Sequence, residues 1–246
     1  MKAYRDSVSL ERKIVVWLQE QGTSSGRSGA VFGLSGGIDS AVVAGLTRKA
    51  FGKNVLGVIM PCHSISQDAD HARAVAKALD IPITEVNLSN SYDTFLGAFP
   101  EKEKLSSPLA LANIKPRLRM ITLYAIAQEK GYLVCGTGNK VELMVGYFTK
   151  HGDSGADLLP LGDLLKGEVR ALAEHLGVPQ EIITKPPSAG LWSGQTDEQE
   201  MGVTYEELDM YFLEQEVSEE VQSFVKKAFR RSEHKRNMPP LCSIEE

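Results

Sequence analysis

A glycine-rich turn between an apolar run and a helix-forming run constrains the fold of this chain more than any other feature. The run at 29–32 is apolar and predicts a buried strand, whereas the run at 41–46 predicts the start of a helix. A strand, a glycine turn and a helix in succession direct backbone N–H groups and a helix N-terminus at an anion. The turn therefore predicts a phosphate-binding loop, formed by Gly33, Leu34, Ser35, Gly36, Gly37, Ile38, Asp39 and Ser40.

This loop is not a Walker A loop, because it lacks the Gly-Lys-Ser/Thr ending of that motif. Its unusual residue is Asp39, whose carboxylate would repel a phosphate unless a cation lay between the two groups. Mg²⁺ is the cation that this predicts, since it binds carboxylate, phosphate and water oxygens. The alternative is that Asp39 only caps the helix that follows.

Apolar runs and helical patterns alternate along most of the chain. Such alternation predicts a parallel sheet with right-handed crossovers. We expect residues 1–246 to form a single α/β domain, a doubly wound, Rossmann-like sheet flanked by helices, with ligands beyond the carboxyl ends of the strands. The predicted strands lie at 29–32, 54–61, 83–88 and 131–136, and the predicted helices include 8–20, 67–79, 113–130 and 164–176.

Two of these predicted helices carry a further expectation. Pro116 is tolerated only near the first turn of a helix, so the helix at 113–130 is expected to open at Asn113. The helix at 8–20 places Ile14 and Trp17 on one apolar face. That face is either a contact with a second copy of the chain or part of the core.

Composition excludes several classes of protein. With 42% hydrophobic and 24% charged residues, the chain is typical of a globular protein, and its net charge of −5 argues against a nucleic-acid partner. No apolar run approaches the roughly 20 residues that span a membrane, and the charged N-terminus does not resemble a signal peptide. The three cysteines show no metal-ligand spacing and are expected to be free thiols in the cytoplasm.

A second glycine turn follows the last predicted strand, in the sequence Gly-Thr-Gly-Asn-Lys-Val-Glu at 136–142. The carboxyl ends of parallel strands share one edge of the sheet, so Glu142 is expected to face the same crevice as Asp39. The two carboxylates could then share one Mg²⁺ on a polyphosphate. The alternative is a surface glutamate near a helix N-terminus, which is stabilising without any function.

Six motifs in order make the chain resemble a known family. They are the loop at 33–40, the turn at 136–142, Gly-Tyr-Phe-Thr-Lys-His-Gly-Asp at 146–153, Lys-Pro-Pro-Ser at 185–188, Gln-Thr-Asp-Glu at 195–198 and His-Lys-Arg at 234–236. Together they resemble the ammonia-dependent NAD⁺ synthetases, which are N-type ATP pyrophosphatases of the adenine nucleotide alpha hydrolase-like group. The resemblance covers nearly the whole chain.

The resemblance implies amidation of deamido-NAD⁺ (nicotinic acid adenine dinucleotide) by ammonia and ATP, the last step of NAD⁺ formation, through an NAD-adenylate. It implies that Asp39, Glu142 and Lys166 carry the chemistry, with Asp39 and Glu142 binding Mg²⁺. The loop at 33–40 would bind ATP together with Thr137, Lys166 and Ser188. The deamido-NAD⁺ site would comprise Arg117, Lys150, Asp157, His234 and Lys235. A cytoplasmic homodimer is also implied.

Two other functions remain open from the residues. One is another ATP pyrophosphatase that amidates a different acceptor, as the ATPase part of a GMP synthetase does. The other is a regulator that binds ATP without turnover, although a sensor needs no cluster of Asp39, Glu142 and Lys166. No cysteine lies in a glutaminase context, so ammonia is expected to be the only nitrogen donor, and a separate glutaminase could supply it. Residues 185–198 and the segment around His234 are expected to be mobile until substrates bind.

Overall fold

The computed structural model describes residues 2–188 and 196–244, and their core is a parallel sheet of four strands in the order β3-β2-β1-β4. The central strand β1 pairs with β2 on one side and with β4 on the other, so that Val31 lies opposite Leu56 and Val134. The parallel α/β sheet expected from the sequence is confirmed. The strands are β1 Gly29–Gly33, β2 Val55–Ile59, β3 Ile83–Glu85 and β4 Tyr132–Val134.

Helices connect and flank these strands. In the part of the chain that the structure describes they are α1 Ser7–Ser25, α2 Ile38–Phe51, α3 Ser66–Ala78, α4 Ser89–Gly97, α5 Pro108–Lys130, α6 Lys140–Val145, α7 Lys166–Leu176, α8 Gln180–Ile183, α9 Asp197–Met201, α10 Tyr205–Phe212, α11 Glu219–Arg231 and α12 Glu233–Arg236. Within the same ranges, no helix combines the length and the apolar character needed to cross a membrane.

Three strands are shorter than expected, and the first of them is β2, which spans Val55–Ile59 rather than 54–61. β3 ends at Glu85, although the N–H groups of Val86 and Leu88 still donate to the carbonyls of Ile59 and Pro61. β4 ends at Val134, and Cys135 continues it only as a single bridge to Leu158. The apolar runs therefore continue past the regular ladders, because their residues are buried by loops as well as by strands.

The main core lies between one face of the sheet and the helices α1, α2 and α7. Leu18, Leu46 and Leu172 are fully buried there. Ile14 and Trp17 of α1 pack against the same core, so their stripe is accounted for as core packing. A second, smaller core joins α6, α10 and α11. This smaller core holds the elements that surround the candidate site.

Helix α5 begins earlier than the sequence predicted. Ser107 accepts the N–H of Ala110 as the N-cap and Pro108 occupies the first turn, a combination that favours helix initiation. Pro116 therefore lies inside the helix, and the expectation that it marks the first turn is wrong. It is buried against the segment at 149–153, where a Cβ on Gly152 would lie 3.1 Å from the Pro116 Cβ. Tertiary packing thus offsets the hydrogen bond that an interior proline removes.

The N-terminal arm ahead of α1 is tied to the start of α7. Arg5 donates from Nε and Nη2 to the two oxygens of Glu168, at 2.8 and 2.7 Å. Glu168 in turn accepts the N–H of Leu165, the residue preceding α7. Burial alone would raise the pKa of Glu168, but the hydrogen bonds from Arg5 and Leu165 outweigh it and lower the pKa.

We expect Arg5→Ala to lower the free energy of unfolding by about 1–2 kcal/mol at neutral pH, because Glu168 is then a buried carboxylate with too few donors. Since the folded pKa of Glu168 is depressed, the stabilisation is present above its unfolded pKa of roughly 4.3 and is lost as the pH falls through the folded pKa. Urea unfolding at pH 7 and at pH 3.5 measures this. Lys2→Ala, which breaks an exposed pair with Glu214, is the control. An equal loss at both pH values would contradict the expectation.

Candidate active site

The phosphate loop is shaped by one glycine and two serines. Gly36 has a φ of +76°, and a Cβ there would lie 2.5 Å from the Asp68 carbonyl oxygen, so only glycine fits. The Ser40 hydroxyl donates to the Gly37 carbonyl at 2.8 Å and accepts the Ser35 N–H at 3.2 Å. The hydroxyl oxygens of Ser35 and Ser40 lie 3.1 Å apart. These hydrogen bonds fix the conformation of the turn at the N-terminus of α2.

Three charged residues meet beside this loop. Lys166 Nζ donates to Asp39 Oδ2 at 2.6 Å and lies 3.6 Å from Glu142 Oε1. Asn139 Nδ2 donates to the other oxygen of Asp39 at 3.0 Å. Asp39 lies in the first turn of α2, Glu142 in the first turn of α6 and Lys166 at the start of α7. The structure therefore brings together the three residues that the sequence proposed for the chemistry.

Glu142 is held by its own helix start. Its Oε2 accepts the N–H of Asn139, and the Asn139 side chain accepts the N–H of Glu142, which is a capping box. Burial and the neighbouring charge of Asp39 raise the pKa of Glu142 to about 8. Burial alone would lower the pKa of Lys166, but Asp39 and Glu142 outweigh it and the net direction is upward. The lysine is therefore a cation held between two carboxyl groups.

The donor set fits Mg²⁺ bound jointly with a polyphosphate. Asp39 and Glu142 offer hard carboxylate oxygens, and Mg²⁺ commonly takes one or two carboxylates with phosphates and waters. No group of three or more His, Cys, Asp or Glu side chains suited to a metal occurs among residues 2–188 and 196–244. A divalent cation would thus take most of its ligands from the substrate and solvent.

A second, basic group surrounds the loop at 146–153. Arg117 Nη2 donates to the Lys150 carbonyl at 3.3 Å, and Lys150 Nζ donates to the His234 carbonyl at 2.6 Å. Lys235 Nζ donates to the carbonyls of Gly146 and Phe148. The structure thus gathers Arg117, Lys150, His234 and Lys235 from distant parts of the chain.

The other candidate residues lie apart from that basic group. Asp157 accepts the N–H of Val134 at 2.8 Å and the hydroxyl of Tyr124 at 3.0 Å, which fixes the end of β4. Thr137 is half-buried just beyond that strand. Ser188 is exposed and ends the first described range, while Gln195 of the motif at 195–198 lies outside the described residues. The predicted mobility of 185–198 stays a prediction.

Sequence reasoning missed three residues of the charged cluster. Asn139 is identifiable afterwards from its capping-box spacing to Glu142. Tyr205 and Asp209 lie one helical turn apart on α10, and both contact Lys166. The signal available in the sequence was a tyrosine and an aspartate four residues apart, on a helical face that is otherwise mostly apolar.

Comparisons with known proteins identify the family of this chain. The family model for NAD synthase matches residues 10–239. The NH(3)-dependent NAD(+) synthetase of Carboxydothermus hydrogenoformans is 52% identical over 234 residues, covering 93% of this chain and 95% of that protein. The solved NMN synthetase of Francisella tularensis has a TM-score of 0.93 and 38% identity, covering 98% of this chain and 100% of that one. The NH3-dependent NAD synthetase of Campylobacter jejuni, solved with a nitrate ion, has a TM-score of 0.80 and 29% identity, covering 97% and 100%. By the extent of these matches, the chain belongs to the NAD synthase family.

Proposed function

We propose that this protein is an ATP-dependent ligase that converts deamido-NAD⁺ and ammonia into NAD⁺, AMP and pyrophosphate. The single observation that carries the proposal is the cluster of Asp39, Glu142 and Lys166 beside the phosphate loop. A cation-binding carboxylate pair and a buried lysine suit a reaction in which pyrophosphate leaves. Family membership supplies the acceptor and the nitrogen donor.

The proposed reaction proceeds in two displacements. The nicotinate carboxylate attacks the α-phosphorus of ATP, the bond to pyrophosphate breaks, and a mixed anhydride with AMP forms. Ammonia then attacks the carbonyl carbon, loses a proton, and AMP departs to leave the amide. No protein nucleophile is needed, so the protein contributes positioning and electrostatic stabilisation.

The residues divide this work between them. The loop at 33–40, Thr137 and Ser188 would bind ATP, and Lys166 would neutralise charge developing on the leaving pyrophosphate. Asp39 and Glu142 would hold Mg²⁺, which would supply further positive charge on the phosphates. We assign deamido-NAD⁺ to the basic group of Arg117, Lys150, His234 and Lys235 together with Asp157. Cytoplasmic localisation belongs to the same proposal and rests on the three free cysteines.

A second candidate acceptor is the corresponding mononucleotide, nicotinate mononucleotide. The observation that favours it is the likeness to the Francisella tularensis NMN synthetase, with its TM-score of 0.93. The relatives that are about half identical in sequence are named for the dinucleotide instead. The chemistry at the carboxylate is the same for both acceptors, so only the part of the site that holds the second nucleotide differs.

The deciding experiment incubates the purified protein with ATP, Mg²⁺ and ammonium, and, in separate reactions, with deamido-NAD⁺, nicotinate mononucleotide or xanthosine monophosphate. Mass spectrometry then measures the amide and AMP. We expect NAD⁺ and AMP in equal amounts, with a higher kcat/KM for the dinucleotide. A higher value for the mononucleotide would replace the proposed substrate. ATP binding without AMP release would favour a regulator, and amidation of xanthosine monophosphate would favour a GMP synthetase.

We further propose that the protein is a homodimer and that α5 forms the contact. Ile121 is 59% exposed and lies on the same helical face as Arg117 and Ala125, which are also exposed. The stripe of Ile14 and Trp17 on α1 is turned to the core instead. Ile121 is an exposed isoleucine next to Arg117, a residue proposed to bind substrate. We therefore expect a second copy of the chain to cover it in the dimer.

Ile121→Glu is expected to convert the dimer to a monomer, because a carboxylate cannot be buried in an apolar contact without a partner. Sedimentation velocity at assay concentration measures the change. Val16→Glu on α1, where the valine is 46% exposed, is the matched control and should remain dimeric. A wild-type protein that is an active monomer at the same concentration would refute the dimer.

A further inference from the structure

Helix α10 carries two buried polar residues that both reach Lys166. Tyr205 and Asp209 are each 1% exposed, and a spacing of four residues places them on the same face of the helix. Lys166 itself is also 1% exposed. Two buried residues on one face of α10 therefore contact the same buried lysine.

Asp209 fixes the main chain of Lys166. Helix α7 begins at Lys166, and the preceding Leu165 has no side-chain acceptor for the free N–H groups of the first turn. Asp209 supplies that acceptor from α10: its Oδ1 accepts the Lys166 N–H at 3.0 Å and its Oδ2 accepts the Gly167 N–H at 2.7 Å. A carboxylate at a helix N-terminus is favourable both as a hydrogen-bond partner and toward the helix dipole.

The N-terminal arm completes the environment of Asp209. The Tyr4 hydroxyl donates to Asp209 Oδ2 at 2.9 Å. The Tyr4 ring packs on Gly167 so closely that a Cβ there would lie 2.3 Å from it. Asp209 thus accepts three hydrogen bonds, and two of them set where α7 starts.

Tyr205 fixes the other end of Lys166. The ammonium lies 4.6 Å from the centre of the Tyr205 ring, which is cation–π distance. The Tyr205 hydroxyl lies 3.0 Å from Asp197 Oδ2 and 3.2 Å from Glu142 Oε1. The ring therefore borders one side of the ammonium while Asp39 and Glu142 lie on the others.

We propose that Tyr205 and Asp209 are positioning residues for Lys166. The two residues hold the lysine at its backbone and at its ammonium, so that a flexible side chain presents its charge to the polyphosphate in one place. This inference rests on the proposed function for the identity of the ligand, ATP. Fixed charge costs no reorganisation during the reaction, and a displacement of about 1 Å can cost roughly 10²-fold in rate.

The test is a double-mutant cycle with Lys166→Ala. Asp209→Asn and Tyr205→Phe are each made in the wild-type and in the Lys166→Ala background, and kcat/KM for ATP is measured. We expect a loss of about tenfold or more in the wild-type background and less than about twofold in the Lys166→Ala background. The KM for deamido-NAD⁺ should change less than about twofold. Equal losses in both backgrounds, or no loss in the wild type, would overturn the proposal.

Controls on the same helix separate positioning from general damage. Glu206→Gln removes an exposed carboxylate from α10, and Tyr211→Phe removes a hydroxyl from the same helix, so both should keep wild-type kinetics. If Asp209→Asn does not fold, Tyr4→Phe is the alternative variant. It removes only the hydroxyl that donates to Asp209 and leaves the carboxylate in place. Tyr4→Phe should show a smaller loss of kcat/KM that is again absent without Lys166.

Calorimetric binding of ATP with Mg²⁺ keeps this proposal distinct from the proposed function. Asp209→Asn and Tyr205→Phe should weaken ATP binding only where Lys166 is present. A wild-type chain that binds ATP but forms no NAD⁺ would refute the proposed function, and the binding cycle would still decide the role of α10. Equal weakening in both backgrounds would leave the two residues a purely structural role and reject the proposal.

Discussion

Asp39→Asn and Glu142→Gln are each expected to lower kcat by about 10²–10³-fold, or roughly 3–4 kcal/mol of barrier, while the protein stays folded. The reason is that the two carboxyl groups share one cation in the structure, the ammonium of Lys166, and are proposed to share Mg²⁺ on ATP. An amide keeps the shape of either side chain but removes the charge that binds the metal. Initial rates of AMP release at several Mg²⁺ concentrations measure the effect.

The Mg²⁺ dependence distinguishes a metal-binding role from a loss of shape. Each variant should need more Mg²⁺ than the wild type to reach half of its own maximal rate. Glu174→Gln, which removes an exposed carboxylate from α7, is the matched control and should behave as wild type. Near-normal turnover of both variants at limiting Mg²⁺ would show that the two carboxylates do not share the metal.

With glutamine as the sole nitrogen donor, the protein is expected to form no NAD⁺ beyond the amount that residual ammonium supports after contaminating ammonium has been scavenged. A glutaminase reaction needs a reactive thiolate or an equivalent nucleophile. Cys62 is fully buried, its thiol contacts the Leu88 carbonyl, and burial raises its pKa. Burial likewise raises the pKa of Cys135 to about 12. Both thiols are therefore protonated at neutral pH and screened from a substrate.

Next to Cys62, the structure shows a histidine–aspartate pair, His63 and Asp93, that the sequence did not predict. His63 Nε2 lies 2.9 Å from Asp93 Oδ1, so an acidic group does lie beside this histidine. The pair is about half exposed, whereas the Cys62 side chain is turned inward. Cys62→Ala should accordingly keep its rate with ammonium chloride. A glutamine-dependent rate equal to the ammonium rate, and abolished in Cys62→Ala, would reverse this conclusion.

The parts of the fold that were predictable are those in which local sequence decides the structure. The apolar runs located the four strands, and the Gly-rich turn located the connection from β1 to α2, because both patterns act within a few residues. The start of α5 was missed although Ser107 and Pro108 form a helix-start signal, since Pro116 drew the prediction inward.

The contacts that define the candidate site were less predictable because they join distant segments. Lys166 and Asp39 are 127 residues apart in the chain, and Lys166 and Asp209 are 43 apart. No periodic pattern in the sequence links such distant residues. The resemblance to a family identified Lys166, but it did not identify Tyr205 and Asp209, which hold Lys166 in place. Tyr205 and Asp209 became visible only when α10 was placed against the start of α7.

The position of β1 in the middle of the sheet has a consequence for the order in which the site can assemble during folding. Its neighbour β2 follows closely in the chain, whereas β4 returns only after α5, and the contact of Asn139 with Asp39 closes a loop of 100 residues. Short loops close with a smaller loss of chain entropy than long ones. A folding chain can therefore complete the glycine-rich loop on β1 and β2 before it adds Glu142 and Lys166. The ability to bind a nucleotide would precede the ability to activate it.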